Sequence, residues 1–130
     1  MKLLFTLGLN LITFLLFGSV DDKKPKKTAG LTTANYALFG DDHSLTPIVG
    51  QELKDHVYYI VSGHGGPDPG ANTQVNGNMV AEDEYAYDVS LRLAKNLITH
   101  GAKVYMIVRD ENDGIRDEEY LAVDTDEVVW

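Results

Sequence analysis

The second half of the chain alternates between runs of β-forming residues and one amphipathic segment. Residues 57–61 predict a buried strand, and residues 103–108 predict a second one. Between them, residues 83–100 place apolar side chains at helical spacing, in a stripe of Ala86, Val89, Leu93 and Leu97 that is widened by Leu91, Ala94 and Ile98. Strand, loop, helix and strand in this order indicate a βαβ unit with two parallel strands, so the predicted fold class is α/β.

The start of the chain shows an apolar run between a basic residue and a polar segment. Residues 3–17 are almost wholly apolar, Lys2 precedes them, and residues 18–20 follow as a short exit of mostly small side chains. This three-part pattern is typical of a secretory signal, and the run is short for a membrane span. We therefore expect residues 1–20 to be a signal peptide or an N-terminal anchor. The protein is then exported to the periplasm or cell envelope, and it meets a membrane only through this segment.

The segment that follows lacks a sustained hydrophobic period. Residues 21–50 are rich in Lys and Pro at first and then in Gly, Thr, Asn, Asp and Ser, a composition that predicts a linker. Residues 51–130 remain for the folded domain. One βαβ unit is too little for a stable parallel sheet, so we expect this fold to be incomplete.

Composition and charge remove several classes of site. The chain has no cysteine, which excludes disulfides, thiolate metal sites and a cysteine nucleophile within it. Its net charge of −9 argues against nucleic acid as a partner, because phosphate binding requires clustered basic residues. From residue 110 to residue 130, nine acidic residues accompany one basic residue, Arg116, and this stretch is predicted to be poorly ordered.

The loop after the first predicted strand is the best candidate for chemistry. It contains His64 between glycines, and α/β folds bind ligands at the C-terminal ends of their strands. A histidine in a tight turn can equally serve as a structural hydrogen-bonding group. Glu82 begins the helix at the same sheet edge, where an acidic residue also suits the helix dipole. His64 and Glu82 could therefore approach a common point and offer zinc a nitrogen and an oxygen, with a third ligand and a water position still required.

Other short motifs give weaker indications. The glycines form neither a P-loop nor a dinucleotide-binding pattern, and there is no Gly-x-Ser-x-Gly motif for a serine hydrolase. Ser-Gly-His-Gly at 62–65, directly after an apolar strand, resembles the histidine motif of caspase-like peptidases. Those enzymes use a cysteine after the next strand, and this chain has none.

A longer match extends over residues 57–112. Gly-His-Gly-Gly at 63–66, Asp-Pro-Gly-Ala at 68–71, Glu-Asp-Glu at 82–84 and Arg-Asp at 109–110 resemble, in order, the zinc-dependent N-acetylmuramoyl-L-alanine amidases. The resemblance implies a three-layer α/β/α sandwich with a mixed sheet, of which this chain carries the βαβ portion. It also implies zinc as cofactor, His64 and Glu82 as metal ligands, and hydrolysis of the amide between N-acetylmuramic acid and L-alanine in peptidoglycan.

The chain departs from the family's pattern at several positions. Val61 and Ser62 stand where the family has Asp-Pro, and Asp83 stands where Lys is usual. The family's third histidine ligand and its catalytic glutamate have no counterpart. The remaining histidines and the late glutamates offer no good substitute from their sequence positions; these are His43, His56, His100, Glu118, Glu119 and Glu127.

Three hypotheses follow from these patterns. The leading one is the N-terminal part of an exported, zinc-dependent peptidoglycan amidase, inactive by itself because a ligand histidine and the catalytic glutamate are missing. The second is a non-enzymatic cell-envelope protein with a degenerate amidase-like fold. The third, a fragment of a caspase-like cysteine peptidase, has the fewest matching residues.

Overall fold

A computed structural model describes residues 32–129, and the predicted signal or anchor at residues 1–20 lies outside them. The described chain contains one long helix, one short 3₁₀ helix and eight short strands. In chain order these are β1 (Thr32–Asn35), the 3₁₀ helix (Ala37–Phe39), β2 (Leu45–Ile48), β3 (Val57–Ile60), β4 (Asn72–Val75), β5 (Asn78–Ala81), α1 (Glu82–Thr99), β6 (Lys103–Met106), β7 (Val108–Arg109) and β8 (Val128–Val129). Between residues 32 and 129, no helix is long and apolar enough to cross a membrane.

The predicted βαβ unit is present. Strands β3 and β6 pair in parallel, with Val57 opposite Lys103 and Ile60 opposite Met106, and α1 connects them. The other strands form antiparallel pairs, β1 with β2, β4 with β5 and β7 with β8. The α/β fold class is therefore confirmed, as a partial α/β unit with small sheets and one long helix.

The helix buries only part of the stripe that the spacing predicted. Leu91, Ala94 and Ile98 of that stripe enter the core together with Tyr87, whereas Val89 and Leu93 are 65% and 50% exposed. Spacing alone does not decide which side of so wide a stripe is buried. Packing against Ile60 and Met106 of the parallel strands selects the side that carries Leu91, Ala94 and Ile98.

The prediction of a linker over residues 21–50 is wrong for its described part. Strands β1 and β2 form an antiparallel hairpin there, and Phe39 in the 3₁₀ helix between them is fully buried in the core. The hairpin is fixed to α1 by Lys95, whose Nζ donates to the carbonyl of His43 at 2.6 Å. The sequence pattern did not reveal these strands because they have four residues each, β1 is polar apart from Ala34, and Pro47 interrupts β2.

The acidic stretch from residue 110 is also more ordered than its charge predicted. Ile115 and Leu121 are buried, and strand β8 pairs with β7. Arg116 is the reason that so acidic a segment can pack. Its guanidinium forms salt bridges with Glu84 of α1, at 2.7 Å, and with Asp113, so that one cation joins the C-terminal segment to the helix.

A hairpin that the sequence pattern did not predict leads into the helix. Strands β4 and β5 meet at Asn76 and Gly77, whose φ angles of 52° and 86° suit the Asn-Gly turn typical of tight hairpins. Strand β5 ends at Ala81, and α1 begins at the next residue, Glu82. The hairpin thus returns the chain to the end of β3 and positions Glu82 near the glycine loop.

Candidate metal centre

The loop after β3 is a tight turn that presents His64. The backbone amide of Gly65 donates to the carbonyl of Asp68 at 2.9 Å, and the amide of Asp68 donates back to Gly65 at 3.3 Å. Gly65 and Gly66 have φ angles of 149° and 61°, in the region that side chains with a Cβ rarely adopt. This local geometry explains why the sequence needs glycine after His64.

His64 and Glu82 lie side by side, as the sequence predicted. His64 Nε2 is 3.7 Å from Glu82 Oε2, and both side chains are partly open to solvent. Glu82 is held by a reciprocal pair of hydrogen bonds with Ala71, because its amide donates to the Ala71 carbonyl at 2.9 Å and its Oε2 accepts from the Ala71 amide at 3.0 Å. Their role as metal ligands stays a prediction.

Asp68 orients the histidine. Asp68 Oδ2 lies 2.9 Å from His64 Nδ1, and since a carboxylate can only accept, Nδ1–H is the donor and Nε2 keeps its lone pair in the neutral ring. This hydrogen bond raises the pKa of His64 above its usual value and lowers the pKa of Asp68. Metal-binding histidines commonly have such a carboxylate behind them. No catalytic role was predicted for Asp68 from the sequence, although its position four residues after His64 in one tight loop was a usable signal.

Gly70 provides the space in which the two side chains meet. A Cβ at this position would lie 2.6 Å from His64 Cδ2 and 2.9 Å from Glu82 Oε2, well inside van der Waals contact. Its φ of 64° also favours glycine. The absence of a side chain at residue 70 is therefore a steric condition for the pair.

The donors present at this loop fit zinc. With Zn–N and Zn–O bonds of about 2.0–2.2 Å, tetrahedral ligand atoms lie about 3.3–3.5 Å apart, a few tenths of an ångström less than the observed separation of 3.7 Å. A small rotation of the half-exposed Glu82 side chain closes that difference. The exposure of both side chains leaves room for further ligands, and the Asp68 carboxylate fixes the required tautomer of His64.

A layer of buried carboxyl groups lies next to this pair. One carboxylate oxygen from each of Asp83, Glu84 and Glu127 lies within 4.8 Å of the others, and all three residues are buried. Burial raises the pKa of Asp83 and of Glu127, which favours their protonated forms. Asp83 Oδ2 has no hydrogen-bond partner among the described residues.

Glu127 was predicted to lie in a poorly ordered acidic stretch, but it is buried against the histidine loop. Its Oε2 accepts a hydrogen bond of 2.7 Å from the amide of Gly66, so the C-terminal segment directly supports the histidine loop. Two valines at 128 and 129 were a local β signal for this, and they form β8.

The other candidate side chains occupy different parts of the described structure. His43 pairs with Asp117 at 3.0 Å, His100 lies 3.4 Å from Glu52 at the far end of α1, and His56 is exposed before β3. Glu118 and Glu119 are exposed in the C-terminal segment.

Comparison with known families supports the resemblance. Residues 59–126, just over half of the chain, match the family described as N-acetylmuramoyl-L-alanine amidase. Comparison with curated proteins and with solved structures gives no match. The matched region begins in β3 and includes the loop with His64, the start of α1 with Glu82, and most of the C-terminal segment. The chain therefore belongs to the N-acetylmuramoyl-L-alanine amidase family.

Proposed function

We propose that this chain carries the zinc-binding half of a peptidoglycan amidase that hydrolyses the amide between N-acetylmuramic acid and L-alanine. The observation that carries the proposal is the 3.7 Å approach of His64 Nε2 to Glu82 Oε2 in a loop with space made by Gly70. The chemistry that zinc supplies in such a site is Lewis-acid activation of an amide carbonyl and of water.

Each residue of the loop has a distinct part in this proposal. His64 offers Nε2 to the metal, and Glu82 offers a carboxylate oxygen. Asp68 is a positioning residue, because it accepts the Nδ1 proton of His64 at 2.9 Å and keeps the ring turned towards Glu82. The Ala71 amide holds the Glu82 carboxylate at 3.0 Å and so limits the movement needed to reach a shared ion.

The proposal includes a limit on activity. The resemblance implies a third histidine ligand and a catalytic glutamate, and from sequence position no residue of this chain matches either role. Two protein ligands hold zinc weakly, because a hydrolytic site normally has three. We therefore expect the 130-residue chain to bind zinc through His64 and Glu82 and to release no peptide from peptidoglycan by itself.

Zinc titration of metal-free protein by calorimetry tests the site. We expect His64→Ala and Glu82→Gln each to abolish measurable binding, whereas Glu118→Gln, an exposed carboxylate elsewhere, leaves it unchanged. Incubation of the wild type with purified peptidoglycan and zinc, followed by analysis of released peptides, tests the activity. Zinc binding that ignores His64 would refute the metal site, and amide cleavage by the 130 residues would refute the expected inactivity.

Export to the periplasm or cell envelope belongs to the same proposal, since peptidoglycan is found there. Fractionation of cells that express the full sequence tests it.

A protein that binds peptidoglycan without any dependence on zinc would favour the alternative, a non-enzymatic envelope protein with a degenerate amidase-like fold.

A further inference from the structure

Three aspartates outside the histidine loop converge between β7 and β8. Asp110 follows β7 directly, and Asp124 and Asp126 precede β8, the strand that pairs with β7. One carboxylate oxygen from each of the three lies within 4.8 Å of the others. The cluster therefore lies at the base of a two-stranded connection, where a bound ion would join two distant parts of the chain.

Asp110 has one oxygen satisfied and one that is not. The residue is 5% exposed, and its Oδ1 accepts hydrogen bonds from the amides of Asn112 and Asp113 at 2.6 and 2.8 Å. Its Oδ2 is buried, receives no hydrogen bond from a donor in the described part of the chain, and the side chain lies against the carboxyl group of Asp126. A buried carboxylate oxygen without a partner is costly, and such an atom in a native structure calls for a ligand, a proton or water.

The charges around Asp110 favour a proton or a cation in the cluster. Burial is the main cause that raises the pKa of Asp110, and the neighbouring Asp126 raises it further. Burial also raises the pKa of Asp124 to about 6. The guanidinium of Arg116 forms its salt bridges with Glu84 and Asp113 and acts on Asp124 through its charge. Burial and like charge therefore disfavour ionisation of all three carboxyl groups together, and a proton or a cation among them removes that cost.

The donor set selects the class of cation. All three side chains offer carboxylate oxygens and none is an imidazole, which favours a hard cation over zinc. Asp110 is buried, Asp124 is partly buried and Asp126 is exposed, so water can complete the coordination from the open side. Calcium accepts six to eight oxygens in irregular geometry, whereas magnesium requires a near-ideal octahedron.

We propose that Asp110, Asp124 and Asp126 bind a calcium ion, which fastens the C-terminal segment to the end of β7. This site is separate from the His64–Glu82 pair and does not depend on the proposed amidase activity. Calcium binding here also stabilises the position of Glu127, because that residue follows Asp126 directly and supports the Gly66 amide.

Calorimetric titration of the metal-free, full-length chain with CaCl₂ tests the site. We expect binding with Kd of about 10⁻⁴–10⁻³ M, the range of weak carboxylate sites in extracellular modules. Asp126→Asn, at an exposed position, should weaken calcium binding about tenfold or more. Asp42→Asn removes the same charge from an exposed position in the β1–β2 connection and should leave the affinity within about twofold.

The zinc pair supplies a further control. His64→Ala should leave calcium binding unchanged, so failure of the proposed zinc site and failure of the calcium site are distinguishable. Absence of calcium binding, or equal effects of Asp126→Asn and Asp42→Asn, would overturn the proposal. Thermal unfolding gives an independent measurement, in which calcium should raise the Tm of the wild type and not that of Asp126→Asn. A wild-type Tm that calcium does not change would show that a shared proton fills the cluster instead.

Discussion

Replacement of Gly70 by alanine separates backbone strain from disruption of the candidate metal site. The new Cβ would lie 2.6 Å from His64 Cδ2 and 2.9 Å from Glu82 Oε2. Ordinary van der Waals contact begins near 3.4 Å, so the imidazole must move by about 0.8 Å or the loop must open. Either movement separates two atoms that are 3.7 Å apart and must come closer to share an ion.

The substitution has two costs of different origin. Alanine at a φ of 64° costs about 1–2 kcal/mol of stability, because its Cβ approaches the following carbonyl oxygen. Displacement of the ligand pair should weaken zinc binding about 10- to 100-fold, the range seen when groups that orient metal ligands are removed. The backbone cost, and any opening of the loop, appears in unfolding experiments with or without zinc, whereas the displacement of the ligand pair is measured by zinc affinity.

Gly77 offers a matched control. It has a φ of 86°, and a Cβ there would have nothing within 4 Å. Gly77→Ala should therefore lose about 1–2 kcal/mol in urea-induced unfolding, as Gly70→Ala does, and keep the zinc affinity of the wild type. Calorimetric zinc titration of both variants gives the comparison. Equal zinc affinities of the two variants would refute the role that the structure gives to Gly70.

Further substitutions test the histidine pair, the buried ion pair and the core. Asp68→Asn should return the pKa of His64 towards its usual value in an NMR titration, since the carboxylate that raises it is gone. The ion pair of His64 and Asp68 stabilises the fold at pH values between the lowered pKa of Asp68 and the raised pKa of His64. This contribution disappears as the pH rises through the pKa of His64 or falls through that of Asp68. Arg116→Met should cost about 3–5 kcal/mol in urea unfolding, because it leaves the 1%-exposed Glu84 without its cation. Phe39→Ala should cost about 3–5 kcal/mol, because the ring is fully buried in the core.

Controls for these substitutions come from the same elements. Leu45→Ala, at a position 65% exposed, should change the free energy of unfolding by less than about 0.5 kcal/mol, and an equal loss for Phe39→Ala would contradict its place in the core. The double variant of Arg116→Met and Glu84→Gln should recover part of the loss, because no charge is then buried alone. A His64 pKa that is unchanged in Asp68→Asn would show that the hydrogen bond does not form in solution.

Several features could be predicted from the sequence because they depend on local order along the chain. The runs of β-forming residues around Tyr58 and Val104 identified two strands, and the helix between them made those strands parallel. Parallel connection brings the end of the first strand and the start of the helix to one sheet edge. That topological rule alone was enough to pair His64 with Glu82 across eighteen residues.

Other features were decided by contacts between distant residues. The apolar stripe of α1 was too wide to show which side is buried, and packing against Ile60 and Met106 determined that Leu91 and the unpredicted Tyr87 enter the core, whereas Val89 stays exposed. The burial of Phe39 depends on a hairpin whose four-residue strands are too short to show a pattern.

The largest difference between the sequence prediction and the structure lies in the acidic segment from residue 110. By composition it is a charged tail, and self-repulsion predicts disorder. In the tertiary structure Arg116 joins Glu84 and Asp113, and Glu127 accepts a hydrogen bond from Gly66, sixty-one residues away. Charge counted along a sequence gives only the net repulsion, whereas the fold determines which charges face a partner. For that reason the sequence identified the His64–Glu82 pair, and only the tertiary structure showed what holds the pair in place.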